Sequence, residues 1–567
     1  MKVLNLLLKF YSYQKVIFLI FILIILTMFE TIGFAVLMPL ISLVLNFNNE
    51  FIQGSQNIII KNMVNLFDIE DKFHFLNIYL LFVLTYYFTK FTFTLGTIKY
   101  YSNFLYNFKN KTIARILTNF LSKSYLFHLN SNSSDLVRFT SDEVRYYFDS
   151  VVSPMLLVIT EIFIISGLII FSFVISPKLF CVILFFSIIC YLIMKIIKKK
   201  LPELGKQRLE KDLLRHNILQ QTFNAIKEIK IFKKENVYLN EVKNVTENLS
   251  NVEKKFFFLE SLPRYIIDFL IVLQFCILFY FFFNFLDISI NEDYLPIFGI
   301  YLLILFRILP SFTRISRSLN VINFAQKLEN KIYDFIFNSE NENDNHVKSF
   351  DFNKSIEIKN IAFKYSENSK EIEFNKSFII KKGSFNCIVG KSGVGKTTLL
   401  DLISGLLIPS KSEFLIDGIK VINSPLKLNQ KISFVHQNFF LFNDTIKKNI
   451  CFLEKESEID TLKLNRIIDI CELKNLLKSL PDKLNTIIGE RGAKLSGGER
   501  QRLSIARALY LDAEIVLLDE ATNALDKETE ERILNNLKSE YHGKKTFIMV
   551  LHKILDKSIF DKIIDVG

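Results

Sequence analysis

Tryptophan is absent from the 567 residues, and the six cysteines, Cys181, Cys190, Cys276, Cys387, Cys451 and Cys471, form no CxxC or other metal-binding spacing. This scatter argues against a disulfide framework and against a cysteine-based metal site. Three of the cysteines lie in apolar runs and three in a region assigned below to the cytosol, where thiols stay reduced. They are expected to serve as small buried hydrophobes. Also lacking is a basic patch with interleaved aromatics that stands apart from the apolar runs, so a net charge of +12, from 70 basic and 58 acidic residues, does not point to nucleic acid. What the chain has is apolar surface: 50% hydrophobic residues, 14% aromatic, 58 Phe and 21 Tyr. That is more than is needed to offset chain entropy, which excludes a disordered protein. The length and a mean hydropathy of +0.28 together exclude a single soluble domain.

Long apolar runs occur only before about residue 315, and a hydrocarbon core about 30 Å thick needs roughly 20 apolar helical residues. Six runs qualify: residues 16–45, 73–96, 151–176, 179–194, 265–286 and 294–309. They contain the ionisable residues Glu30, Lys90, Glu161, Asp268 and Arg307. The first run is too long for the apolar region of a signal peptide and lacks a small-residue cleavage site, so it reads as a span.

Loop charge orients the bundle, because cytosolic loops collect Lys and Arg. Lys2, Lys9 and Lys15 precede span one; Lys99, Lys109, Lys111 and Arg115 follow span two; Lys195 and Lys198 to Lys200 follow span four. The loops between spans one and two and between spans five and six are acidic. Both termini are therefore expected in the cytosol. The two long inner connections, residues 97–150 and 195–264, mix polar and apolar residues at helical spacing, so the helices should extend beyond the membrane. On the outer side, residues 57–69 suit either a short interfacial helix or an ordinary connector.

Residues 338–345 (NSENENDN) read as a polar linker. The resulting division is a six-helix, all-α transmembrane domain over 1–330, a linker over 331–350, and an α/β phosphate-loop ATPase domain over 351–567. In the last, short β-rich runs alternate with helical stretches, the pattern of a parallel sheet flanked by helices.

Gly390, Lys391, Ser392, Gly393, Val394, Gly395, Lys396 and Thr397 fit GxxxxGK[ST] in full, after an apolar strand and at the start of a helical run that continues through Thr398. In that context backbone N–H groups close around phosphates, Lys396 reaches the β and γ phosphates of ATP, and the Thr397 hydroxyl ligates Mg²⁺. Farther on, a buried strand ends in Asp519 and Glu520. Asp519 is expected to help hold Mg²⁺, and Glu520 to polarise the attacking water as general base.

Leu495-Ser496-Gly497-Gly498-Glu499-Arg500-Gln501, together with these elements, resembles the signature of ATP-binding cassette (ABC) proteins. The resemblance implies that Ser496, Gly497, Gly498 and Asp526 face the ATP of a partner subunit, and one cassette per chain then implies a homodimer. It also implies that Tyr365 stacks on adenine, that Gln437 touches Mg²⁺, and that His552 contacts the γ phosphate. Two departures from the family pattern stand out: His436 where proline is usual, and Leu551 and Lys553 flanking His552 in place of Ala and Arg. The segment Ile488-Gly489-Glu490-Arg491-Gly492 resembles a stretch that marks ABC exporters, which agrees with membrane and ATPase parts fused in one chain.

In the membrane half, the stretches 29–39 and 307–314 resemble the lipid-linked oligosaccharide flippases of bacterial N-glycosylation. That implies ATP-driven movement of a polyprenyl-pyrophosphate oligosaccharide across the bacterial inner membrane. Arg307, Arg314 and Arg317 would then form a basic lining for the pyrophosphate, since Arg binds such groups bidentately. Export of peptides or drugs, and a flippase of the lipid A type, stay open as alternatives. The expected ligands and partners are ATP, Mg²⁺, a second copy of the chain, membrane lipids and an amphiphilic substrate.

Overall fold

The structure is a computed structural model that describes residues 2–45, 72–175, 177–285, 294–338, 350–422, 427–428, 431–452, 454–551 and 556–566. The chain forms two compact units: Met1–Ser122 with Ser131–Asn341, and Lys123–Asn130 with Glu342–Gly567.

The first unit is helical. Apart from Val151 and Val152, in the turn Phe148–Val152, the described residues of the six apolar runs fall in the helices Tyr13–Leu45, Lys72–Leu121, Ser153–Ile175, Pro177–Lys198, Glu235–Phe285 and Tyr294–Phe324, called spans one to six below. Among the described residues, Tyr13–Gly33, Leu76–Leu121 and Ser133–Phe173 are long and apolar enough to cross a membrane. The helices of spans two and five have 50 and 51 residues. At 1.5 Å per residue each is about 75 Å long, well over twice the hydrocarbon thickness. The segment 57–69 lies outside the described residues.

Interhelical contacts follow from small residues and satisfied hydroxyls. Span three packs on span six through Ile164, Leu168, Ile304, Leu305 and Ile308. Gly167 lets span three approach span one, since a Cβ there would overlap the Thr31 side chain. Gly205, in helix Leu201–Asn224, likewise lies against the Phe324 carbonyl at the end of span six. Tyr79 and Tyr86 of span two donate to the carbonyls of Val36 and Phe29 in span one, both at 2.6 Å, so their hydroxyls are paired without water. In the stretch that follows span two, Arg138 pairs with Glu143 and lies 3.4 Å from Asp212, with side-chain exposures of 2%, 2% and 7%.

Two boundaries differ from the sequence reading. Helix Gln326–Asn338 occupies the start of the expected linker 331–350, because Leu328, Ile332 and Ile336 give it an apolar face that is fully buried. Residues 339–349 lie outside the described residues. Lys123–Asn130, assigned from sequence to the membrane domain, belongs to the second unit, where Tyr125 and Leu126 pack on its core.

In the second unit, strand Phe385–Val389 lies between Lys562–Asp565 and Thr546–Val550, followed outward by Ile515–Asp519 and Ile432–Val435, all parallel. The three inner strands, Phe385–Val389, Thr546–Val550 and Ile515–Asp519, are buried on both faces, as in a parallel sheet covered on both sides. Alternate residues feed two cores: Cys387, Leu518 and Met549 one side, Ile388, Leu517 and Ile548 the other. The sequence reading foresaw this sheet but not a second, antiparallel one. There Ser355–Phe363 pairs with Ile372–Phe374, Phe378–Lys381 and Lys411–Ile416, and the last pairs with Ile419–Ile422. The Asp417 carboxylate clips its corner by accepting from the N–H groups of Asn353, Lys354 and Ser355 at 2.7, 2.7 and 2.8 Å.

Candidate nucleotide site

Strand Phe385–Val389 delivers the chain to residues 390–395, and helix Lys396–Ile403 begins directly after them. Gly393 and Gly395 have φ of +81° and +98°, in the left-handed region that side chains avoid. At Gly395 a Cβ would also lie 2.9 Å from Ile372 and 3.1 Å from Phe374 of the antiparallel sheet. The buried Lys396 ammonium donates to the carbonyls of Gly390 and Lys391 at 3.0 and 3.1 Å, so the lysine folds back under its own loop. Lys391 and Ser392 are exposed and Val394 is half-buried. The Thr397 hydroxyl donates to Asp519 at 2.7 Å, and Thr398 is 2.8 Å from the Tyr365 hydroxyl. Tyr365 lies two residues beyond the end of strand Ser355–Phe363.

Asp519 ends a fully buried strand. Burial raises its carboxyl above the usual range, the Thr397 hydrogen bond opposes this, and the neighbouring Glu520 adds to it. Glu520 adopts φ +50° with its N–H on the Val550 carbonyl at 3.1 Å, a turn that carries its side chain away from the strand line. Its Oε2 accepts from Gln437 Nε2 at 2.7 Å and from Asn523 Nδ2 at 2.8 Å. Behind it, the Gln501 amide donates to the Glu520 carbonyl at 3.4 Å and accepts from the Ala524 N–H at 2.7 Å. Asp401, in the helix after the phosphate loop, is pushed up to about 6 by burial and by Asp519. Its isolated position gave no sequence signal.

The oxygens of Thr397 and Asp519 already meet, next to a buried carboxyl, Asp401, whose Oδ1 has no hydrogen-bond partner. Hard oxygen donors of this kind, with the Gln437 amide nearby, fit Mg²⁺.

Ser496 opens helix Gly497–Tyr510 with a reciprocal cap: its hydroxyl accepts from the Glu499 N–H at 3.3 Å, and Glu499 accepts from the Ser496 N–H at 2.7 Å. Gly498 lies close under residue 524, where a Cβ would come within 3.1 Å of the Ala524 carbonyl. Asp526 caps helix Lys527–Tyr541 through the Thr529 N–H at 3.0 Å. Among the described residues, no hydrogen bond joins Ser496, Gly497, Gly498 or Asp526 to residues 390–397. Thus Lys396, Thr397, Asp519, Glu520 and Gln437 form one constellation, and the signature residues stand outside it. His552 lies outside the described residues. His436 stacks on Phe434 with ring centroids 3.8 Å apart, and burial lowers its basicity.

The basic lining expected from Arg307, Arg314 and Arg317 is not an open one. Arg307 lies 3.6 Å from Glu30, which also holds Lys90 at 3.0 Å; Arg314 pairs with Glu161 at 2.6 Å and Arg317 with Glu260 at 2.8 Å. Charges in an apolar bundle are costly alone, and here each arginine takes a carboxylate from another helix. Asp268 has no ion-pair partner among the described residues. It lines an apolar cavity of about 460 Å³ with Phe275, Leu305, Phe306 and Leu309.

Two family models match the chain: the ABC transporter transmembrane region over residues 39–307, and the ABC transporter over residues 374–523. The chain is therefore an ABC transporter, with a transmembrane region and an ATPase domain. Its fold is that of the Atm1-family exporters: a solved bacterial Atm1-family ABC exporter with ATP bound superposes with a TM-score of 0.74 over 94% of this chain and 93% of that one, at 19% identity. In sequence, it is 36% identical to an ATP-dependent lipid A-core flippase of Ralstonia nicotianae over 211 residues, 37% of this chain and 36% of that protein. Over 211 residues it is 38% identical to the mitochondrial iron-sulfur clusters transporter of Candida glabrata, covering 37% of this chain and 29% of that protein. Over 210 residues it is 37% identical to a mycobactin import ATP-binding/permease protein of Mycobacterium bovis, covering 37% and 36%. The matched stretches span about a third of these relatives. Similar identity to proteins with three different cargo names means that this stretch does not select among cargoes.

Proposed function

We propose that the chain is an ATP-driven translocase that works as a homodimer in a bacterial inner membrane, with both termini and the ATPase domain in the cytosol. The observation that carries this reading is the convergence of Lys396, Thr397, Asp519, Glu520 and Gln437 at the ends of neighbouring parallel strands. ATP binding exchanges the Gly390 and Lys391 carbonyls on Lys396 for phosphate oxygens, while residues 390–398 supply N–H groups and Tyr365 the adenine contact. Thr397, Asp519 and Gln437 hold Mg²⁺, which neutralises charge on the phosphates when bound. Glu520, oriented by Gln437 and Asn523, takes the proton of the attacking water. Ser496, Gly497, Gly498 and Asp526 act on the ATP of the partner subunit, and His552 on the γ phosphate. Closure and reopening of the two cassettes bias the helices between inward- and outward-open states.

For cargo, the finer proposal is a polyprenyl-pyrophosphate oligosaccharide. Its pyrophosphate would replace carboxylates on Arg307, Arg314 and Arg317, whose guanidinium forks suit either partner. One observation favours a second reading, export of an apolar peptide or drug or a lipid of the lipid A type: the apolar cavity beside Asp268. Substrate-stimulated ATPase and flipping, measured on the protein in vesicles with lipid-linked sugars, lipid A and amphiphilic peptides, separate these readings. If lipid-linked sugars neither stimulate nor move, the finer proposal fails; if no member of the panel moves and ATP is not hydrolysed, the translocase reading fails.

A further inference from the structure

We infer that the groove between the end of span four and the part of span five that precedes its apolar run binds the headgroup of an anionic glycerophospholipid of the inner leaflet. The groove is a cavity of about 710 Å³ lined by Lys199 and Lys200, at the end of helix Pro177–Lys198, and by Lys254 and Lys255 of helix Glu235–Phe285. Among the described residues none of these four ammonium groups has an ion-pair or hydrogen-bond partner. The single carboxylate on the wall, Glu203, is on the surface and among the described residues meets only the Gln207 amide, at 3.4 Å. Four unpaired cations around one cavity repel one another, so an anion held between them is stabilised.

The rest of the wall is apolar, from Leu204, Leu259 and Phe258. Phe258 is 63% exposed and the adjacent Phe257 is 70% exposed. A soluble anion would leave these rings in water, whereas a phospholipid covers them with its chains while its phosphate reaches the lysines. The side agrees: Lys199 and Lys200 lie a little beyond the apolar run of span four, past Lys195 and Lys198, and Phe256 to Leu259 lie a little before that of span five. Basic pockets between membrane helices on the cytosolic side are suited to anionic headgroups, each lysine near the surface adding attraction. Lysine serves here as a point charge and asks for no fixed oxygen geometry, which suits a mobile headgroup. The proposal rests on the orientation argued above and not on the identity of the cargo.

The test uses the full-length protein in phosphatidylcholine nanodiscs that contain a trace of phosphatidylglycerol with a photoactivatable group near its headgroup. Peptides around residues 199–204 and 254–259 should be labelled, and unlabelled phosphatidylglycerol, but not phosphatidylcholine, should compete. The variant Lys199→Gln, Lys200→Gln, Lys254→Gln, Lys255→Gln should lose roughly tenfold of the labelling, and the matching four-fold Lys→Arg variant should keep it. Unchanged ATP hydrolysis shows that the Gln variant is folded; the lipid competition needs no variant. Equal labelling of the Gln variant, equal competition by phosphatidylcholine, loss of label to millimolar inorganic phosphate, or no label in these peptides would each overturn the proposal.

Discussion

Gln437 and Glu520 share a hydrogen bond of 2.7 Å that ties together the segments following two paired strands, Ile432–Val435 and Ile515–Asp519. The bond holds the Glu520 carboxylate at a fixed angle, and Asn523 adds a second donor to the same oxygen. Glu520→Gln keeps nearly the same shape but lacks a basic oxygen. Steady-state phosphate release should fall by about 10²- to 10⁴-fold while nucleotide binding persists. Turnover near the wild-type rate would remove Glu520 from the role of base.

Gly395 joins two constraints at one position: φ of +98°, and Ile372 and Phe374 packed where a Cβ would go. Gly395→Ala must therefore shift either the phosphate loop or the antiparallel sheet, at a cost of roughly 1 to 3 kcal/mol. Binding of a fluorescent ATP analogue should weaken strongly, in step with Lys396→Ala, which removes the ammonium under the loop. Hydrolysis should drop with it in both variants. Normal affinity in Gly395→Ala would mean that the loop accommodates the methyl group.

Much of this was legible in the chain, for a physical reason. A phosphate loop, an acidic pair after an apolar strand and a capped glycine pair are local devices, so residues 390–397, Asp519 with Glu520, and Ser496 to Gly498 carry their chemistry in short words. The six spans are legible because the membrane imposes a length. Asp401 and the Lys123–Asn130 segment were not, since each acquires its setting only through tertiary packing: Asp401 from burial beside Asp519, and Tyr125 from a core built more than 200 residues later. The arginines show the opposite failure. The positions of Arg307 in the last apolar run and of Arg314 and Arg317 just beyond it were plain, but their carboxylate partners lie on other helices and have no fixed spacing in sequence.

Asp417 offers a test of the antiparallel sheet. Burial pushes its carboxyl up, but the three backbone N–H groups of residues 353–355 outweigh this and hold it below its ordinary 3.8. A carboxyl depressed in the folded state adds stability that is present above the unfolded value, near 3.8, and is lost as pH falls through the lower folded value. Asp417→Asn should cost about 1 to 2 kcal/mol at pH 7, because one acceptor oxygen is replaced by a donor that faces N–H groups. The difference between variant and wild type, read from unfolding of the ATPase domain, should shrink as pH drops below 3.8. A difference independent of pH would contradict the charge-assisted clip.

Arg138 sits between two carboxylates with almost no exposure: it pairs with Glu143, and Asp212 lies 3.4 Å away. Asp212 has outer partners in Arg215 at 2.6 Å and Arg208 at 3.9 Å, so it keeps some compensation when Arg138 is lost. Glu143 has no other ion-pair partner among the described residues, and its Oε2 is already without a hydrogen bond. Arg138→Met should therefore destabilise mainly through Glu143, by roughly 3 to 5 kcal/mol, since one buried charge is left uncompensated. Adding Glu143→Gln should recover most of that loss, whereas adding Asp212→Asn to Arg138→Met should recover less. The apparent thermal midpoint of the detergent-purified protein measures all three. Equal recovery from Glu143→Gln and Asp212→Asn would show that the two carboxylates share the arginine evenly, against the unequal shielding seen here.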